Sequence, residues 1–183
     1  TVVAMMAALH AVSAGAQVAV MAPTELLAEQ HARRFQEWLA PLGIATVLLS
    51  GKLPAKARRE ALAAIADGSA QVVIGTHALF QAQVVYQRLA LVVIDEQHRF
   101  GVHQRLALND KAERAVHQLV MTATPIPRTL AMSAYGEMDV SVIDALPQGR
   151  QPVQTAVVAN TRREAVIARV GDVCRGGRQA YWV

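Results

Sequence analysis

A single cysteine, Cys174, stands in the 183 residues, so no disulfide can form within the chain. That usage fits a reducing compartment, the cytoplasm. No histidine or metal-ligand partner lies beside Cys174 in sequence, so it reads as an apolar helix residue and not as a reactive thiol. Aromatic residues are scarce at 4% and charged ones modest at 17%, against 53% apolar, mostly Ala, Val and Leu. Small and branched side chains of this kind suit helices packed on a parallel sheet. Charge is also missing locally: nothing from Thr1 to Thr24 is acidic or basic apart from a neutral His10. Such a stretch can be mistaken for a signal peptide or a membrane span. It has no initiating Met and no basic leader, and His10, Ser13, Gly15 and Gln17 interrupt it. It divides into a helix-like half and a strand-like half, as expected of a soluble protein with no membrane segment. Lys plus Arg is 18 against 14 for Asp plus Glu, a net +4, which is compatible with a polyanionic partner without requiring one.

What is present is an alternation. Thr1 to Ser13 reads as a helix stopped near Gly15, and Gln17 to Pro23 as a buried strand. Thr24 is placed to cap a helix from about Glu25 to Leu39, which Pro41 and Gly43 break. Ile44 to Ser50 is a second strand. Pro54 can open a helix at its first position, reaching about Ala66, with Gly68 behind it. Gln71 to His77 and Leu89 to Glu96 are further strands, the latter apolar until it ends in two acids. A polar helix to about Arg114, a strand from His117 to Thr124, a short helix from Pro125 to Ala134 and a sixth strand from Asp139 to Asp144 follow. Alternating strands and helices imply right-handed crossovers and a mostly parallel α/β sheet. Leu146 to Pro152 reads as a linker. After it come a strand (Val153 to Val158), a helix opened by Thr161 with Glu164 as a capping box, and a strand starting at Arg178. Two domains are therefore expected, residues 1–145 and the beginning of a second α/β unit in 146–183.

Four clusters carry chemistry, each at an expected strand end, where parallel sheets bind ligands. Asp95-Glu96-Gln97-His98 closes an apolar strand. Nucleotide hydrolysis needs one carboxylate for Mg²⁺ and another group to orient or deprotonate water, and Asp95 and Glu96 would fill those places. Two adjacent acids can also simply cap the next helix. Thr122-Ala123-Thr124 offers two hydroxyls able to bridge the acids to a neighbouring element, or a helix cap before Pro125. Ala22-Pro23-Thr24-Glu25 and Gly75-Thr76-His77 sit where helix N-termini present N–H groups to phosphates, although a Thr there is usually just a cap. Other residues get plainer readings. His98 and His103 do not share a helix face and so make no zinc site. Trp38 and Trp182 are core or boundary residues. Lys52, Arg58 and Arg59 form a solvated basic face, with Lys52 near enough to a strand end to touch phosphate.

Taken in order, APTELLAEQH, IGTH, DEQH and TAT resemble motifs Ia, Ib, II and III of the superfamily 2 helicases. DEQHRFGVHQR and MTATPIPRTLAMSAY narrow the resemblance to the RecG branch and its relative Mfd, the transcription-repair coupling translocase. DEQH in place of DEEH, SVIDALPQGRQPV and GRQAYWV favour RecG. The resemblance covers essentially the whole chain and implies a RecA-like P-loop NTPase fold and a first motor domain. The implied activity is that of an ATP-dependent DNA helicase acting on duplex and branched DNA, stalled forks and Holliday junctions, in repair and recombination. Its implied cofactors are ATP and Mg²⁺, and its partners are DNA and the rest of the same polypeptide, a wedge domain and a second motor domain. By the same resemblance Asp95 and Glu96 are the Mg²⁺ and catalytic acids, and His98 links them to motif III. Thr122, Ala123 and Thr124 couple hydrolysis to movement, and Pro23, Thr24, Glu25, Gly75, Thr76 and His77 lie on the DNA side. The phosphate loop GxxxxGK[ST] does not occur in the sequence. Thr1-Val2-Val3-Ala4 resembles the helix that follows it, so Thr1 stands where the loop's final, Mg²⁺-binding Thr would be, and the first strand and phosphate loop are expected to be missing. The fragment alone is therefore expected to be inactive. Two alternatives remain: an Mfd-like translocase that moves without unwinding, and a noncatalytic α/β interaction module. The second has no need to keep both acids and both threonines.

Overall fold

The computed structural model describes residues 1–96, 116–123, 139–145 and 149–183. Two compact units are present, Thr1–Ala134 and Tyr135–Val183. In the first, five parallel strands form one sheet in the order β2-β3-β1-β4-β5: β1 (Gln17–Met21), β2 (Thr46–Leu49), β3 (Val72–Gly75), β4 (Leu89–Asp95) and β5 (His117–Met121). The parallel α/β sheet expected from the alternation is what folds, in keeping with the RecA-like architecture that the resemblance implies.

Strand alternation builds the two faces. Ala19 and Met21 of β1, Val73 of β3 and Leu49 of β2 point into one layer, which α3 (Ala55–Ala66) covers with Ala61 and Ile65. Val18 and Val20, Val72 and Ile74 point into the other. That layer is covered by α1 (Val2–Ser13), through Ala4, Ala8 and Val12, and by α2 (Glu25–Leu39), through Ala28, Phe35 and Leu39. β4 changes phase part-way. Gln17 pairs with Leu89 but Val18 with Leu91, so one extra residue sits in β4. Leu89 and Val92 consequently share one layer while Leu91 and Val93 share the other.

Helix ends follow local chemistry. The Thr24 hydroxyl caps α2 by accepting from the Leu27 N–H at 3.3 Å. α2 ends in a 3-10 turn, Ala40–Leu42, containing Pro41, and Gly43 reverses the chain at φ 73°. Pro54 caps α3 from just outside the helix and does not occupy its first turn.

Some expectations do not hold. Asp139 to Asp144 forms no strand: Val140, Val142 and Ile143 are exposed, and no ladder among the described residues accepts them. In the second unit, Val153–Val158 and Arg178–Val183 are likewise unpaired, because extended backbone becomes a strand only beside a partner. Thr161 caps nothing: a 3-10 turn, Asn160–Arg162, occupies the expected capping box and leads into α4 (Arg163–Arg175). Cys174 lies in α4, as expected, but is exposed. Gln97, His98, the helix expected up to Arg114, Thr124 and the helix from Pro125 fall outside the described residues. No helix among the described residues is long and apolar enough to cross a membrane.

Tyr86 is buried among these apolar side chains with a hydroxyl that has no hydrogen-bond partner. Burial pushes its phenol well above the ordinary value. An unsatisfied buried hydroxyl is a net cost, so Tyr86→Phe is expected to stabilise the protein by ~1 kcal/mol, read as a rise in the thermal unfolding midpoint. A lower midpoint would mean that the hydroxyl has a partner.

Candidate functional site

The register of the sheet brings the sequence clusters to one edge. Leu49, Gly75, Met21 and Ile94 stand in one register row across β2, β3, β1 and β4, and Asp95 pairs with Met121. The residues that follow these positions therefore emerge side by side at the carboxyl end of the sheet. Ser50 leaves β2, Thr76 leaves β3, Ala22 to Glu25 leave β1, Glu96 leaves β4, and Thr122 and Ala123 leave β5.

The β2, β3 and β1 half is gathered by one carboxylate. Glu25, in the first turn of α2, accepts from the Thr76 hydroxyl at 3.0 Å, from the Ser50 hydroxyl, and from the Gly51 N–H at 3.5 Å. Burial pushes the Glu25 carboxyl up. The bonds from Ser50, Thr76 and Gly51, with the charge of Lys52, outweigh it and leave the group below its usual range. Thr76 is buried and also contacts His77 Nδ1 at 3.4 Å, while His77 itself is exposed. Gly75 is small for a steric reason: a Cβ there would lie 2.5 Å from the Leu49 carbonyl oxygen and 3.0 Å from Leu79 Cδ2. Pro23 is partly buried at the same turn. Arg58 is tied in as well, reaching the Gln81 side chain at 2.5 Å and the Ser50 carbonyl at 3.5 Å, so it is not merely solvated.

The β4 and β5 half holds the acids. Asp95 Oδ2 lies 2.7 Å from His31 Nε2, and Oδ1 accepts from the Glu96 N–H at 3.1 Å. The hydrogen bond from His31 does most to hold the Asp95 carboxyl below its usual value. Burial opposes it, and the charge of His31 and the Glu96 N–H add to the lowering. The Thr1 hydroxyl, at the start of α1, does not cap that helix. Glu96 has φ 51°, the one left-handed non-glycine residue among those described, so the chain turns sharply as it leaves the strand.

The donor set suits Mg²⁺. The described residues contain no group of three or more histidines, cysteines or carboxylates that could enclose a metal. Mg²⁺ characteristically takes one or two carboxylates and fills its shell with water and phosphate oxygens. Asp95, partly exposed and with acceptor capacity left, and the Thr1 hydroxyl are donors of that kind.

Two participants escape a motif-by-motif reading. His31 lies inside the APTELLAEQH stretch, yet its signal is positional: Ala28, His31, Phe35 and Leu39 form the buried stripe of α2, and only His31 in it is polar. Ser50 looks like a strand terminus until Glu25 is placed against it.

The fold places an acid pair and hydroxyl-bearing turns on one edge of a parallel α/β sheet. The DEAD/DEAH box helicase family model matches residues 1–133, and the chain belongs to that family, which implies the use of ATP. Within it the resemblance is to RecG. The chain is 60% identical over 187 aligned residues to the ATP-dependent DNA helicase RecG of Escherichia coli K12, covering all of this chain and 27% of that protein. It is 56% identical to RecG of Haemophilus influenzae, with the same coverage of each. A solved structure of RecG bound to a three-way DNA junction matches with a TM-score of 0.80 and 44% identity, over 96% of this chain and 24% of that one. A structure of the helicase MrfA bound to DNA shares the fold, with a TM-score of 0.59 at 20% identity over 72% of this chain and 20% of the other. The chain thus spans about a quarter of the length of the curated relatives it matches.

Proposed function

We propose that this chain belongs to the first motor domain of a longer, cytoplasmic ATP-dependent DNA helicase that remodels branched DNA, stalled forks and Holliday junctions, in repair and recombination. The observation that carries the reading is the single sheet edge on which Asp95, Glu96 and Thr122 stand beside the turns of Glu25, Ser50 and Thr76. Residues 1–145 would form the motor domain, and 146–183 the linker and start of a second RecA-like domain.

In this reading Asp95 and the Thr1 hydroxyl would hold Mg²⁺, and Glu96 would orient and deprotonate the attacking water. When bound, the ion would neutralise charge developing on the nucleotide phosphates. His98 would link the acids to Thr122, Ala123 and Thr124, which pass the hydrolytic state to the DNA-side residues Pro23, Thr24, Glu25, Gly75, Thr76 and His77. Glu25, in the β1 turn, accepts bonds from the other two turns and so ties the three together. Thr24 spends its hydroxyl on the helix cap, so its contribution to DNA would come through the backbone.

The test uses the full-length protein with a labelled model fork, ATP and Mg²⁺, followed on a native gel. Strand release or fork regression is expected without RNA polymerase. Binding should follow branch shape and weaken steeply with salt, because phosphate contacts carry no sequence information. A fork left intact while DNA-stimulated hydrolysis proceeds would favour the Mfd-like translocase. No DNA-stimulated hydrolysis at all would favour the noncatalytic module.

A further inference from the structure

The contact between His31 and Asp95 joins the two halves of the sheet edge. His31 is buried in the middle of α2, and its Nε2 lies 2.7 Å from Asp95 Oδ2. An ionised carboxylate only accepts, so the proton of this bond sits on Nε2. The remaining oxygen, Oδ1, is fixed by the Glu96 N–H. Both torsions of Asp95 are thereby set, and the carboxylate keeps lone pairs for one outward direction. A polar side chain at a core-facing helix position costs desolvation, and here the cost is offset by this one charge-assisted bond.

The same helix carries Glu25 six positions earlier, ~9 Å along its axis. Glu25 holds Ser50, Gly51 and Thr76. One rigid element therefore grips the DNA-side turns at its first turn and the acid at the end of β4 in its middle.

We propose that His31 is a positioning residue that orients Asp95 for Mg²⁺–nucleotide and, through α2, ties the acid to the Glu25 cluster. It acts through Asp95 and touches neither nucleotide nor water. The inference rests on the reading of Asp95 as the ion-holding acid.

The experiment compares His31→Gln, His31→Asn and His31→Leu in the full-length protein. Gln places its amide N–H where Nε2 stands, Asn stops about where Nδ1 stands, and Leu has no donor. The readout is the Mg²⁺ concentration that half-saturates binding of a fluorescent, non-hydrolysable ATP analogue. Outer-shell partners of metal ligands are worth roughly 10–100-fold in metal affinity, so His31→Leu and His31→Asn are expected to raise that midpoint at least about tenfold. His31→Gln should return it to within about threefold. Stimulation of hydrolysis by DNA should fall in the same order, Gln above Asn and Leu. Equal midpoints for all three variants, whether unchanged or equally raised, would overturn the proposal, since packing alone would then account for His31. If His31→Leu fails to fold, the Asn-to-Gln difference decides alone. Asp95→Asn is run beside them. If it leaves the Mg²⁺ midpoint unmoved, the reading of the site falls. If it moves the midpoint and the His31 variants do not, only this inference falls.

Discussion

Replacing Glu96 by Gln in the full-length protein is expected to lower DNA-stimulated ATP hydrolysis by roughly 10²- to 10⁴-fold while nucleotide affinity stays within a few-fold, the range for loss of a positioned general base. The amide keeps the size of the side chain and loses its basicity. The backbone argues for the same assignment. β4 stops at Asp95, and Glu96 enters the left-handed region at φ 51°, where a non-glycine residue is held at a cost of order 1 kcal/mol. Its N–H turns back onto Asp95 Oδ1, so the turn serves the acid as well as redirecting the chain. Asp95→Asn should differ in kind. It removes the charge proposed to receive the cation and should weaken Mg²⁺–nucleotide binding before turnover is considered. Steady-state hydrolysis and equilibrium nucleotide binding, measured on both variants, separate the roles. Near-normal hydrolysis by Glu96→Gln would remove Glu96 from the chemistry.

The sheet was legible because its strands are short apolar runs closed by Pro, Gly or acid, and its helices open on Thr24 and Pro54. Motif order located the edge, and the register then aligned Met21, Gly75, Leu49 and Ile94 across it. Segments that read as strands by composition alone failed where no ladder received them, as at Asp139–Asp144 and Val153–Val158: a strand is a property of a pair, and a sequence window sees one member. The capping box at Thr161 failed because a 3-10 turn competes for the same residues. Side-chain bonds across many residues were the least legible. The bonds from His31 to Asp95 and from Thr76 to Glu25 cross 64 and 51 positions. Thr24 and Gly75 have structural uses, a cap and a close approach, that explain their residue types without DNA.

Gln17 is the clearest case of a residue whose role only the fold exposes, and its replacement is expected to have the largest effect on stability. It opens β1, is 3% exposed, and spends its whole amide on backbone. Nε2 donates to the carbonyls of Ile65 at 2.9 Å and Ala70 at 2.8 Å. Oε1 accepts from the N–H groups of Gln87 at 2.8 Å and Arg88 at 3.0 Å. The end of α3, the turn into β3 and the entry to β4 are thereby fastened to β1 beside the extra residue in β4. Gln17→Leu takes a bond from each of the two carbonyls, where the bonds are buried, and removes the acceptor of the part-buried Gln87 and Arg88 N–H groups. At ~1 kcal/mol or a little more for each buried bond lost, and less for donors that water can reach, a loss on the order of 2–3 kcal/mol is expected. Gln17→Glu is the sharper test. It keeps both acceptor bonds but points an oxygen at two carbonyls, so the carboxyl is expected to stay protonated in the fold and its folded-state pKa to lie above the unfolded ~4.3. A raised folded value means stability that is present at low pH and lost as pH rises above ~4.3. Hydrogen exchange of the Gln87 and Arg88 amides in the full-length protein reads the effect locally. Protection should collapse in Gln17→Leu at any pH, and in Gln17→Glu it should be greater at pH 4 than at pH 7 once intrinsic exchange rates are divided out. Protection unchanged in both variants would mean that these four bonds do not hold the bottom of the sheet.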